Sequence, residues 1–155
     1  MPSITSFFTK NALYIALVQA IVATLGSLYF SEIAHYTPCE LCWFQRICMY
    51  PLVIVLVVGI LRRDKWVYQY VFPAAIIGWF IALYHNLLYL HILPWWNQPC
   101  SSGVSCTTKY ISWGGFITIP FLAFVAFSVI LAMMVIARKA ALNDSINAGP
   151  GNLSA

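Results

Sequence analysis

The stretch Leu41–Leu61, LCWFQRICMYPLVIVLVVGIL, decides the fold. It carries a single charge, Arg46. A helix crossing a hydrocarbon core of about 30 Å needs roughly 20 apolar residues. Three further stretches read the same way: Ala12–Phe30, Val67–Leu93 and Tyr110–Ala137 carry no charge, although the second of them holds His85 and His91. Each is too long for a strand, and a membrane barrel would alternate apolar and polar residues. The first is expected to be a span rather than a cleaved leader, because no small-residue cleavage site precedes Glu32 and further spans follow. Composition agrees. The 155 residues are 62% apolar and 8% charged, against roughly 45–50% and about 25% in an ordinary soluble domain. A soluble single domain and a disordered chain are therefore excluded as first readings. The net charge of +4 comes from eight Lys and Arg scattered among aromatics. With no basic stripe, nucleic-acid binding is not expected.

Basic residues set the orientation. Lys10 precedes the first span, Arg62, Arg63 and Lys65 lie between the second and third, and Arg138 and Lys139 follow the fourth. The other two connections share one lysine, Lys109. The positive-inside rule then puts both termini in the cytoplasm, and Trp95, Trp96 and Trp113 fit an aromatic belt at the outer interface. The expected fold is an all-α membrane protein, an antiparallel bundle of four transmembrane helices. Spans are expected at about 12–30, 41–61, 67–90 and 114–137, with outer loops at 31–40 and 91–113. They form one domain over 1–142, and a flexible tail covers 143–155. Pro51, Pro73 and Pro120 fall within the apolar stretches, where membrane helices tolerate them.

Four of the five cysteines fall at the outer end, where thiols can be oxidised and stay so. Thr37-Pro38-Cys39-Glu40-Leu41-Cys42 reads as a helix start. A cysteine there meets the positive end of the helix dipole, which favours its thiolate. At about 100° per residue, Cys39, Cys42 and Arg46 share a face. Arg46, one turn below Cys42, can stabilise a thiolate or donate to a polar cofactor oxygen, and intramembrane charges usually mark a functional path. The blander alternative is a structural disulfide with an arginine reaching for the headgroups. Zinc held by Cys39, Cys42, Cys100 and Cys106 is conceivable, but the gap between Cys100 and Cys106 exceeds the usual ligand spacing, and no metal is expected. Attachment of a c-type haem is excluded, because Trp43 stands where C-x-x-C-H needs histidine. A Cys100–Cys106 bridge would close a small polar ring worth only about 2–3 kcal/mol of chain entropy. It reads either as a labile bridge open to another protein's thiolate or as a loop staple. Cys48, about 180° around the helix from Cys39, reads as a packing residue. His85 lies at a depth similar to Arg46 and reads as a packing residue or as a proton or cofactor contact. His91, His35 and Glu32 read as solvated groups.

The run Pro38-Cys39-Glu40-Leu41-Cys42-Trp43-Phe44-Gln45-Arg46 resembles the motif of the DsbB/BdbC family of membrane thiol-disulfide oxidoreductases. That family's chemistry, coupled to a quinone, keeps the bacterial periplasm oxidising. The resemblance covers nearly the whole chain, including Tyr84-His85 and Ile117-Thr118-Ile119-Pro120. It implies a membrane quinone, ubiquinone or menaquinone, beside Cys42 and Arg46 with His85 nearby. It implies that Cys39 and Cys42 pass electrons to that quinone. It further implies that Cys100 and Cys106 oxidise a DsbA-like thiol oxidase with a thioredoxin fold, with Cys100 forming the mixed disulfide. The implied location is the bacterial plasma membrane, with the active cysteines on the extracytoplasmic side. Two features depart from the best-known members. The loop cysteines are separated by only five residues, which resembles a short-loop BdbC type, and Tyr89 stands where a Gln often follows the family histidine. A vitamin-K-epoxide-reductase-like enzyme would also use a quinone-facing C-x-x-C, but usually after its loop cysteines, the reverse of the order here. A non-enzymatic four-span protein with structural disulfides would line its span centres with polar groups, and apart from Arg46 and His85 few are present.

Overall fold

Apolar residues on every side of a long segment leave the backbone one way to satisfy itself in lipid, which is to close its hydrogen bonds within a helix. The computed structural model of the chain describes residues 4–64, 66–92 and 118–147, and every long element in it is helical. Helix α1 spans Ile4–Leu28 and widens into a π-helical turn at Tyr29–Ile33. Helices α2, α3 and α4 span Glu40–Leu61, Tyr68–Tyr89 and Ile119–Asn147. Four segments, Asn11–Ile33, Glu40–Leu61, Tyr68–Tyr89 and Ile119–Asn143, are long and apolar enough to cross a membrane. The expected all-α, four-span architecture is therefore present, and the chain is a multi-pass membrane protein. Cys100, Cys106, Lys109, Trp95, Trp96, Trp113 and the tail beyond Asn147 lie outside the described residues.

Each helix packs on its neighbours in a ring, α1 on α2 and α4, α2 on α3, and α3 on α4. Contacts at one end fix the antiparallel sense. Arg46, near the start of α2, reaches Ser27 at the end of α1. Gln45 meets His85 near the end of α3, and Asn86 donates to the Pro120 carbonyl at the start of α4. Ala12, Ala16 and Ala20 form a buried stripe on α1, and Ala75, Gly78 and Ala82 form another on α3. Small side chains at that spacing let helices approach closely, which is where packing energy in lipid comes from. At Gly78 the approach leaves no room for a side chain, since a Cβ there would run into the fully buried Phe127 ring. Val18, Leu25, Ile54, Ile77 and Phe80 stay exposed. A continuous apolar exterior of this kind suits lipid and not water.

Local signals explain the helix ends. Thr118 Oγ1 accepts from the Phe121 N–H at 3.3 Å and so caps α4. Pro120 therefore stands in the first turn of α4, at the start of the fourth span, at a place where its missing N–H leaves no gap in the ladder. Helix α2 closes with Asp64 N–H on the Gly59 carbonyl at 2.9 Å, and α3 with Ile92 N–H on the Leu87 carbonyl at 3.1 Å. The left-handed residue that such a closure needs is Arg63 in one case and His91 in the other, at φ 53° and 55°. Glycine is the usual occupant, so the sequence does not advertise these stops.

Candidate active site

Glu40 opens α2, and Cys39 is the extended residue just before it, at φ −74° and ψ 171°. This is the helix start expected from Thr37 to Cys42. One turn along, Cys42 returns to the same face, and the two Sγ atoms lie 3.0 Å apart as free thiols. From α3, His85 comes in with 2% of its surface exposed and sets its Nε2 3.8 Å from Cys39 Sγ. Its Nδ1 faces the side-chain amide of Gln45 at 3.4 Å. Gln45 is itself buried. The juxtaposition changes the chemistry of Cys39. A hydrogen bond from the Cys42 thiol lowers its pKa most, burial works against this, and the hydrogen bond and charge of His85 lower it further, to about 4. The proton so lost belongs to the pair, since each sulfur's titration depends on the other.

Arg46 is held from two sides. Its Nη2 donates to the Ser27 carbonyl oxygen at 2.9 Å, and its Cζ lies 5.6 Å from the centre of the Trp43 ring. The widened turn of α1 begins two residues after Ser27, and the Ser31 hydroxyl lies 3.3 Å from the same carbonyl. Turns of this type often mark functional sites, and here one closely follows the residue that accepts from Arg46. The Arg46 Nε is buried and has no hydrogen-bond partner among the described residues.

These side chains line one cavity of about 410 Å³. Cys39, Cys42, Gln45, Arg46 and His85 supply its polar end, and Tyr89 and Thr118 also reach it. Ala23, Ile119, Ala126 and other apolar residues form most of the wall. Val22 on α1 and Leu122 and Val125 on α4 belong to the lining and are exposed, so the cavity reaches the lipid-facing surface between those helices. Of the six residues singled out in the sequence, Cys39, Cys42, Arg46 and His85 meet here. Cys100 and Cys106 lie outside the described residues. Cys48 packs instead against the main core. Two participants were not singled out from sequence, Gln45 and the Ser27 carbonyl. For Gln45 the available signal was a polar residue beside Arg46 in an apolar helix. For a backbone carbonyl there was none.

A model of the family described as disulfide bond formation protein DsbB matches residues 9–137. The chain belongs to the DsbB family. Among curated relatives, disulfide bond formation protein C of Bacillus subtilis (strain 168) is 51% identical over 128 residues, covering 81% of this chain and 91% of its own. A probable disulfide formation protein C of Halalkalibacterium halodurans is 46% identical over 134 residues, covering 84% and 96%. A probable disulfide formation protein of Metapseudomonas resinovorans is 36% identical over 135 residues, covering 86% and 94%. No solved structure matches at a significant level. Membership in the DsbB family makes this chain a membrane thiol-disulfide oxidoreductase.

Proposed function

We propose that the protein reoxidises an extracytoplasmic, DsbA-like thiol oxidase of thioredoxin fold and delivers the electrons to a membrane quinone. The observation that carries this reading is a thiol pair facing a lipid-accessible apolar cavity whose polar end holds a buried guanidinium N–H with no acceptor among the described residues. A volume of about 410 Å³ lies within the roughly 300–1,000 Å³ of small-molecule sites. Apolar walls suit a ring and the start of an isoprenoid tail, and Arg46 and His85 can address ring oxygens. The residues fit a quinone. Bound there, it would supply an acceptor for the two electrons and two protons released when the Cys39–Cys42 bridge forms.

The chain's own residues divide the remaining work. The reduced partner's thiolate attacks Cys100 of the Cys100–Cys106 bridge, and the partner's second thiol resolves the mixed disulfide, so the partner leaves oxidised. One of the two loop thiolates then attacks the Cys39–Cys42 bridge at Cys39, the sulfur outside the helix, and Cys42 is released as the leaving thiolate. The second loop thiol displaces Cys39, closing the loop bridge again. Each exchange conserves one disulfide and two thiols, and its rate follows thiolate fraction and access. Arg46 would donate to an oxygen of the bound quinone, and His85 would hold or pass a proton at its Nε2 beside Cys39. Arg62 and Arg63 lie at the end of the bundle opposite Cys39. This supports a bacterial plasma-membrane orientation with cytoplasmic termini and outward-facing cysteines.

The test is the apparent quinone affinity of Arg46→Ala, measured with a small dithiol as reductant and with helix content checked by circular dichroism. A hydrogen bond to a charged donor contributes about 1.5–3 kcal/mol, so KM for quinone should rise between about 10- and 160-fold. A folded Arg46→Ala protein with unchanged KM would remove the site.

A further inference from the structure

The reduced site gathers three soft ligand atoms. Cys39 Sγ, Cys42 Sγ and a ring nitrogen of His85 all lie within 4.8 Å of one another, and two of the three residues are buried. We propose that the reduced Cys39–Cys42 pair and His85 form a redox-gated zinc site. Occupation of that site holds the pair as thiolates and stalls the relay. The inference rests on the reading of Cys39 and Cys42 as a couple that cycles between dithiol and disulfide.

The geometry needs little adjustment. Zinc takes thiolate sulfur at about 2.3 Å and imidazole nitrogen at about 2.0–2.1 Å in a tetrahedron. Those lengths put two sulfurs about 3.8 Å apart and a sulfur and a nitrogen about 3.5 Å apart. Cys39 Sγ and His85 Nε2 already stand 3.8 Å apart. The two sulfurs, at 3.0 Å, would have to open by about 0.8 Å to reach that tetrahedral spacing, which side-chain rotation at Cys42 can supply. The outer nitrogen of the ring is also provided for. A metal-binding histidine usually gives its other N–H to a polar partner, and the Gln45 amide sits 3.4 Å from His85 Nδ1, able to turn its oxygen to that proton.

Charge favours the ion as well. Two thiolates neutralise Zn²⁺, so the nearby Arg46 cation meets a neutral centre and not a dication. Two Cys and one His make the donor set of an open zinc site, with a fourth position left for solvent or ligand. That position would face the cavity, so zinc and a cavity ligand would compete. Oxidation removes the site outright: the disulfide draws the sulfurs to about 2.05 Å and leaves no thiolate. Binding consumes the pair in its reduced state and releases whatever thiol protons remain. No electron moves, and chelation restores the dithiol.

The test uses full-length protein carrying Cys100→Ser and Cys106→Ser, so that the loop thiols cannot bind metal. The protein is reduced with a phosphine, freed of reductant, and titrated anaerobically with Co²⁺ and then Zn²⁺. One Co²⁺ per chain should bind, with a sulfur-to-cobalt charge-transfer band and tetrahedral d–d bands, and one Zn²⁺ should displace it. The bands should vanish after oxidation of the pair. His85→Ala should weaken zinc binding by about 100-fold or more, beyond the 10–100-fold seen when only an outer-shell partner is lost. Cys42→Ser, nearly the same shape, should abolish the charge-transfer band or halve it. Equal cobalt binding by the oxidised protein, or unchanged binding in both variants, would overturn the site. A pair that cycles normally but gives no cobalt bands overturns the zinc site and leaves the relay standing. Cobalt bands in a protein that never forms the Cys39–Cys42 disulfide would uphold the ligand cluster and overturn the relay on which the gating depends.

Discussion

The reduced pair should carry a thiolate at every physiological pH. Cys39 accepts a hydrogen bond from Cys42, stands beside His85, and has its pKa lowered to about 4. With that value the site is about 99% anionic at pH 6, whereas an ordinary thiol near 8.5 would be about 0.3% anionic. Because the thiolate is the reacting species, alkylation of Cys39 by iodoacetamide should be nearly independent of pH from about 5.5 to 8. An unperturbed thiol would gain close to tenfold per pH unit over most of that range. The rate is read by quenching with acid and quantifying the Cys39 peptide by mass spectrometry. Cys42→Ala removes the leading cause of the shift and should bring back a rising pH dependence. The sign carries over to stability. A depressed thiol pKa stabilises the folded, reduced protein fully above the ordinary thiol range, and that contribution falls away as pH drops from there toward 4. Stabilising the dithiol form also makes the Cys39–Cys42 bridge a stronger oxidant. A wild-type alkylation rate that climbs tenfold per unit between pH 5.5 and 8 would refute the reasoning.

Two other predictions separate the remaining parts. Cys100→Ser should stop oxidation of a thioredoxin-fold partner yet spare quinone reduction by a small dithiol that reaches Cys39 directly. Full activity of this variant with the protein partner would rule out the relay. Gly78→Ala pushes a methyl group into the buried Phe127 ring and should destabilise the bundle by about 1–3 kcal/mol, the usual cost of overpacking, seen as a lower thermal midpoint in detergent.

Long-range order was legible in the sequence where one segment's own chemistry was enough. Leu41–Leu61 needs no partner to be recognised as a span, and helical spacing alone puts Cys39, Cys42 and Arg46 on one face. Thr37 to Cys42 likewise signals its own helix start. What stayed hidden depends on a neighbour. Which side chains His85 meets depends on how α3 packs against the start of α2, where its neighbours are Cys39 and Gln45. Arg46 is oriented by the Ser27 carbonyl, a backbone acceptor on another helix that residue types do not encode. The stops after α2 and α3 fall on Arg63 and His91 in a left-handed conformation, where sequence rules look for glycine. The cavity belongs to no single helix, since α1, α2, α3 and α4 all contribute wall.

The most direct test of the central claim is anaerobic. Purified protein is mixed with quinone and a reduced thioredoxin-fold dithiol, and quinone absorbance is followed to completion. One quinol should form for each partner disulfide made, and the reaction should disappear in Cys42→Ser. Absence of quinone reduction while the partner's thiols persist, or undiminished reduction by Cys42→Ser, would contradict a route through the Cys39–Cys42 pair.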